Sequence, residues 1–243
     1  MNKNIYTNVY KKELNNKNFD FPEPAENFIR MYKMFIKKKN LKCLDYGVGD
    51  GRHFEFLVRR QHNVVGTDVS DYAIDLTKRR KFDFITAEKK KKTTRNLFKL
   101  SKKKNLNSLK LENLDLIVCW ETIHWLGSLK KIDKLISDFT SILKSKGKIF
   151  ITFPSEKHYL LKKKDLIEKF TYKISSKERK KMIICSPDLN YLKRQFKKKC
   201  LKILGIYKYS HGRKIYVNKR NQLLSSDFKN KLFSMYGFVL EKK

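Results

Sequence analysis

Apolar residues along this chain follow two rhythms. Short apolar runs at 41–46, 63–69, 114–119 and 148–153 alternate with stretches in which apolar residues recur every third or fourth position. The first rhythm marks buried strands and the second amphipathic helices, so their alternation predicts a parallel sheet flanked by helices. The spacing of Phe28, Met31, Tyr32, Met34 and Phe35 predicts a helix from Pro24 to Lys39. A strand from Leu41 to Tyr46, a turn from Gly47 to Gly51 and a helix to about Arg60 follow. Asn63 to Val69 reads as a second strand, with Ser70 or Asp71 suited to cap a helix running to about Lys81. Leu97 to Leu100 is a short third strand and Leu114 to Cys119 a fourth. The helix Leu129 to Leu143 is expected to stop at Gly147, before a fifth strand from Lys148 to Phe153. Past Pro154 the pattern loosens. Residues 156–187 read as a helical insertion, because no long apolar run supports a second core. Ser186 as cap and Pro187 as first residue suit another helix, and Leu201 to Tyr209 and Phe233 to Leu240 read as two last strands. The expectation is a single domain over residues 1–243.

Composition narrows the class. The chain has 243 residues, 40% of them hydrophobic, enough for one large core. No run of about 18 apolar residues is present, and the start MNKNIYTNVYKKEL has no apolar stretch, so neither a membrane span nor Sec export is expected. Cys43, Cys119, Cys185 and Cys200 are scattered without a CxxC pair or clustered histidines. They predict reduced thiols and a cytoplasmic location, with no disulfide framework and no metal.

The net charge of +34 invites a nucleic-acid reading, but 47 lysines stand against 11 arginines. Phe, Tyr, Ile, Asn and Lys are abundant while Gly, Ala, Arg and Pro are scarce, the skew of an A/T-rich genome. Recognition of phosphate by planar forks would favour arginine. Nucleic acid is therefore the less favoured partner, although residues 189–226 hold eleven basic residues and no acid, interleaved with Tyr191, Phe196, Tyr207, Tyr209 and Tyr216.

The informative segment is Leu41-Lys-Cys-Leu-Asp45-Tyr-Gly47-Val-Gly49-Asp-Gly51-Arg-His53. Strand, glycine turn and helix start come in the order of a nucleotide-binding unit, but Arg52 breaks the dinucleotide pattern GxGxxG. With Asp45 ahead of the glycines and Asp68 ending Val64-Val65-Gly66-Thr67-Asp68, the stretch resembles the first motifs of class I S-adenosylmethionine-dependent methyltransferases. The segment Asp115-Leu-Ile-Val-Cys-Trp120-Glu121-Thr-Ile-His124-Trp-Leu resembles the fourth-strand motif of the methyltransferase type 11-like branch, and Ile142 to Phe153 the approach to the fifth strand.

The resemblance covers Leu41 to Phe153 and implies a Rossmann-like three-layer α/β sandwich. Its sheet has seven mostly parallel strands with an antiparallel last one. It also implies binding of S-adenosylmethionine, and of the product S-adenosylhomocysteine, by Asp45, Gly47, Gly49, Gly51 and Asp68. Asp45 would orient the methionine moiety and Asp68 the ribose hydroxyls. Trp120 would face the cofactor, with Glu121 and His124 as catalytic candidates beside the acceptor. The family's adenine-contacting acid is missing at Lys99-Leu-Ser101, where Ser101 or a backbone carbonyl would serve. Residues 1–40 would form an N-terminal helical lid in which Arg30 pairs with the cofactor carboxylate.

Missing motifs also bear on chemistry. No Asn/Asp-Pro-Pro-Tyr/Phe tetrad follows the fourth strand and no Pro-Cys pair is present, which disfavours base-amine methylation of DNA and covalent attack on a pyrimidine. The expected acceptor is a small or lipid-like molecule. The alternatives are an RNA- or protein-directed enzyme and a non-catalytic cofactor binder.

Overall fold

The computed structural model describes residues 10–16, 20–80, 82, 84–101, 105–156, 158, 161, 165–174, 182–209 and 234–243. Helices are α1 (residues 10–15), α2 (Glu26–Phe35), α3 (Arg52–Arg59), α4 (Asp71–Arg79), α5 (Ala87–Arg95), α6 (Leu129–Ile142) and α7 (Leu189–Lys198). Strands are β1 (Lys42–Tyr46), β2 (Asn63–Asp68), β3 (Leu97–Lys99), β4 (Leu114–Cys119), β5 (Leu143–Pro154), β6 (Leu166–Glu168), β7 (Thr171–Ile174), β8 (Met182–Cys185), β9 (Leu201–Tyr209) and β10 (Met235–Lys242). Seven of these form one sheet in the order β3-β2-β1-β4-β5-β10-β9. It is the expected mostly parallel sheet, with β10 antiparallel to both β5 and β9. The chain divides into two compact units, residues 2–118 and 119–243.

In the first unit β1 pairs in parallel with β2 and with β4, so Asp45 lies opposite Gly66 on one side and Val118 on the other. Strands flanked on both sides are buried on both faces, as Cys43, Leu44 and Asp45 are. Phe28 and Tyr32 of α2 meet the Phe56 ring of α3 edge-on at 5.5 and 5.0 Å. Ser70 caps α4, its Oγ accepting from the Ala73 amide at 3.4 Å. Helix α5 is unannounced by any apolar stripe: AEKKKKTTR has no buried residue.

In the second unit β10 lies between β5 and β9, with Phe238 opposite Ile151 and Ile206. Ile132, Leu135, Ile136, Phe139 and Ile142 form the buried stripe of α6. Three expectations are corrected here. Gly147 does not end α6; the helix stops at Ile142 because Leu143 turns extended (φ −84°, ψ 137°) and is itself buried as the first residue of β5. The described residues of 156–187 form no α-helix: β6, β7 and β8 form a three-stranded antiparallel sheet, Thr171 opposite Cys185 and Tyr172 opposite Ile184. Ile174, Met182 and Ile184 are buried on one face while Lys173 and Ile183 are exposed on the other, the alternation a half-buried strand requires. Finally, Asp188 rather than Ser186 caps α7, accepting from the Tyr191 amide at 2.6 Å. Ser186 instead donates its hydroxyl to the Pro154 carbonyl at 2.9 Å.

Candidate active site

The turn after β1 is closed onto the end of β2. The amides of Gly47 and Val48 both donate to the Thr67 carbonyl, at 2.7 and 3.0 Å, and Gly51 N donates to the Val48 carbonyl at 2.9 Å. Gly51 has φ +82°, and a Cβ there would come within 2.7 Å of Thr77 Cγ2, so both backbone and space demand glycine. Gly49 has φ +56°, and a Cβ on it would meet the Tyr10 hydroxyl at 2.8 Å. Helix α4 anchors the turn from beneath, Thr77 Oγ1 donating to the Gly49 carbonyl at 3.2 Å. Asp68 ties the two halves together: one carboxylate oxygen accepts from Gly49 N at 3.1 Å, the other from Ser70 N at 2.9 Å.

Two buried carboxyl groups lie along this edge. Asp45 is 1% exposed, and its Oδ2 has no hydrogen-bond partner among the described residues. Burial above all, then the neighbouring charges of Asp50 and Asp68, push its pKa up to about 8. Burial raises Asp68 as well, opposed by the amides of Ser70, Gly49 and Val69. A carboxylate so placed is relieved by a cation brought against its open oxygen.

The residue that holds this turn in place is one the sequence pattern hid. Arg80, at the end of α4, reads as a solvated helix terminus but is only 4% exposed. Its Nε donates to the Asp50 carbonyl (2.7 Å), Nη1 to Glu55 (2.5 Å) and Nη2 to the Pro22 carbonyl (2.7 Å), with the Phe21 ring 4.9 Å away. One rigid fork thereby binds the glycine turn, α3 and the segment before α2.

In the second unit the residues following β4 form a packed loop. The Trp120 ring is stacked on Tyr209 at 5.8 Å and 17°. Glu121 takes a left-handed conformation (φ 53°); its amide donates to Thr152 Oγ1 at 2.7 Å and its carbonyl accepts from Trp125 Nε1 at 3.1 Å. His124 is buried with its ring 4.7 Å from that of Trp125. The small sheet covers this loop: a Cβ on Gly127 would lie 3.2 Å from Ile183 of β8.

A family model described as a methyltransferase domain matches residues 18–204, most of the chain. The chain belongs to the methyltransferase-domain family. It is a class I S-adenosylmethionine-dependent methyltransferase, with S-adenosylmethionine as cofactor. No curated protein matches it in sequence. Among solved structures, an S-adenosylmethionine-dependent methyltransferase from Methanosarcina mazei superimposes with a TM-score of 0.59 at 14% identity, over 91% of this chain and 99% of that one. Another from Clostridium acetobutylicum gives 0.58 at 14% identity over 98% of each chain. A methyltransferase from Haloferax volcanii, solved with the Trm112 methyltransferase activator, gives 0.61 at 9% identity over 98% of this chain and 96% of that one. These likenesses establish the fold.

Two features of this methyltransferase fit the cofactor: the open, buried oxygen of Asp45 suits an ammonium, and the glycine backbone leaves room for close approach. Of the sequence-predicted site residues, Asp45, Gly47, Gly49, Gly51 and Asp68 share this edge of the first unit. Ser101 follows Leu100, whose amide donates to the Asp68 carbonyl at 2.7 Å, so it too lies beside the end of β2. Arg30 donates to Glu26 at 2.5 Å, one turn back on α2. Trp120, Glu121 and His124 share the loop of the second unit. His53 is buried 4.5 Å from the Phe28 ring, and burial lowers its pKa. His62 bridges Tyr32 and the Leu41 amide, His158 is buried, and His211 lies outside the described residues.

Proposed function

We propose that this methyltransferase moves the cofactor's methyl group to a small or lipid-like acceptor. The observation that carries the cofactor half of this reading is the buried Asp45 carboxyl, open on one oxygen beside the glycine turn. Bound S-adenosylmethionine supplies an electrophilic methyl on a sulfonium. Asp45 holds the ammonium of its methionine moiety, the backbone of Gly47, Gly49 and Gly51 lines the cradle, and Asp68 accepts both ribose hydroxyls. Ser101 contacts the adenine. Helix α1, whose Tyr10 reaches Gly49, serves with the rest of residues 1–40 as the lid, and Arg30 leaves Glu26 to pair with the cofactor carboxylate.

In-line displacement draws most of its rate from positioning. The acceptor side falls to the loop of Trp120, Glu121 and His124. Buried aromatic surface there supports an apolar acceptor, and Glu121 or His124 takes the acceptor's proton as it leaves. The whole of residues 1–243 works as one methyltransferase domain, without a metal.

Incubation with radiolabelled S-adenosylmethionine and fractionated cell extract tests the reading. Label is expected in the small-molecule or lipid fraction, and to fall on His124→Ala or Glu121→Gln. Label in RNA or protein overturns the acceptor class; bound cofactor with no label anywhere overturns catalysis.

A further inference from the structure

A cavity of about 430 Å³ opens at the other end of the strands from the glycine turn. Asn40 precedes β1, and Gln61 and Asn63 lie at the start of β2, so the cavity sits at the amino edge of the sheet while the glycine turn lies at the carboxyl edge. The five residues of β1 put about 16 Å between them. Its volume falls within the ~300–1,000 Å³ typical of ligand sites.

Its far wall is one face of α5. Lys89, Lys92, Thr93 and Asn96 recur at three- and four-residue spacing and all line the cavity. A helix lying beside β2 and β3 ordinarily turns an apolar stripe inward; α5 buries nothing, and the exposed Lys89 and Lys92 rim the cavity beside the half-buried Thr93 and Asn96. The ammonium groups of Lys89 and Lys92 carry no ion pair among the described residues. Glu88 is the single acid of the lining. His62 contributes no charge: burial holds its pKa down at about 4, and its Nδ1 accepts from the Leu41 amide at 3.2 Å. The neutral ring therefore carries its proton on Nε2 and donates it to the Tyr32 oxygen at 2.6 Å.

Besides Glu88, the polar lining thus includes two lysines and the carboxamide residues Asn40, Gln61, Asn63 and Asn96. Ammonium groups pair with phosphate, and carboxamides, each with donors and an acceptor, match the donor–acceptor edges of nucleobases. We propose that this cleft is a nucleotide site separate from the cofactor cradle, binding a phosphate-bearing nucleotide, free or as a unit of an RNA strand. The site is indifferent to the identity of the methyl acceptor.

The test measures binding of uridine 5′-monophosphate by calorimetry and of a fluorescein-labelled ten-residue oligouridylate by anisotropy, at about 0.15 M salt. Uridine probes avoid the adenosine specificity of the cofactor cradle, and saturating S-adenosylhomocysteine is included as competitor. Lys89→Glu/Lys92→Glu is compared with Lys90→Glu/Lys91→Glu, an equal charge change on the same helix at positions outside the lining. The first pair is expected to weaken probe binding about tenfold or more, the second less than about threefold, beyond what loss of nonspecific attraction explains. Thermal midpoints of the three proteins should coincide. Saturable mononucleotide binding identifies a free ligand, and binding of the oligomer alone identifies a polynucleotide. Equal weakening by both pairs, displacement by S-adenosylhomocysteine, or no saturable binding of either probe overturns the proposal.

Discussion

The unit that ends at Val118 buries the charged side chains Asp45, Asp68 and Arg80, whereas among the described residues of the unit that begins at Cys119 no Asp, Glu, Lys or Arg is buried and the largest buried side chains are aromatic. In the second unit Phe153, Phe196 and Phe238 meet at centroid distances of 5.2–6.5 Å, and Trp120 stacks on Tyr209. Rings are buried for the apolar area they remove from water and are complete without a ligand. A buried charge costs desolvation and persists only when something pairs it. Arg80 is paired on all sides, but Asp45 is left half-satisfied. The first unit therefore leaves a buried carboxyl open on one oxygen, where the proposed cationic ligand would pair it, and the second is built on packing. Substitutions should separate accordingly, into losses of affinity and losses of stability.

The largest effect expected is on the packing side. Phe238→Ala should lower stability by about 3–5 kcal/mol in urea denaturation, the cost of a large aromatic cavity, while S-adenosylhomocysteine affinity stays within about threefold. A tenfold loss of affinity at full folding would break the separation. Next comes Asp68→Ala, which should weaken S-adenosylhomocysteine by about 1.5–3 kcal/mol in calorimetry through lost hydrogen bonds to a charged group. Near-unchanged binding would reduce Asp68 to a brace for Gly49 and Ser70. Smaller again is Arg80→Lys, which keeps the charge and loses the fork. It should cost about 1–2 kcal/mol of stability and weaken the ligand several-fold, because the Asp50 carbonyl and Pro22 carbonyl cannot both be reached. An affinity identical to wild type would show that the turn holds its shape without Arg80.

What could be read from sequence follows the same division. Strands β1, β2 and β4 and the acid-glycine-acid spacing were legible because a nucleotide turn is local: a few residues set the backbone and the ligand edge together. Helix α5 was illegible because periodicity needs an apolar stripe, and its inner face has none. Arg80 was hidden because burial of a helix-terminal arginine depends on Pro22 and Glu55, 58 and 25 residues away in sequence. The small sheet of β6, β7 and β8 escaped because its strands are three or four residues long, too short for a period to declare itself. The stack of Trp120 on Tyr209 joins residues far apart in the chain, so no local pattern announces it.

The role proposed for Asp45 is to take the cation of the cofactor. Its pKa of about 8 in the ligand-free fold stands against about 3.9 for an unfolded aspartate, so the folded state holds the extra proton between those values. Stability of the ligand-free protein should therefore fall as pH rises from about 4 to about 8, and ligand affinity should rise over the upper part of that window. Calorimetric titration with S-adenosylhomocysteine at pH 7, in two buffers of different ionisation enthalpy, reads this directly. The wild type should release a proton on binding, approaching one per ligand, as the ammonium displaces it from Asp45. Asp45→Asn should bind more weakly and release none. Equal heats in both buffers, or an Asp45→Asn variant that binds as tightly as wild type, would contradict the account.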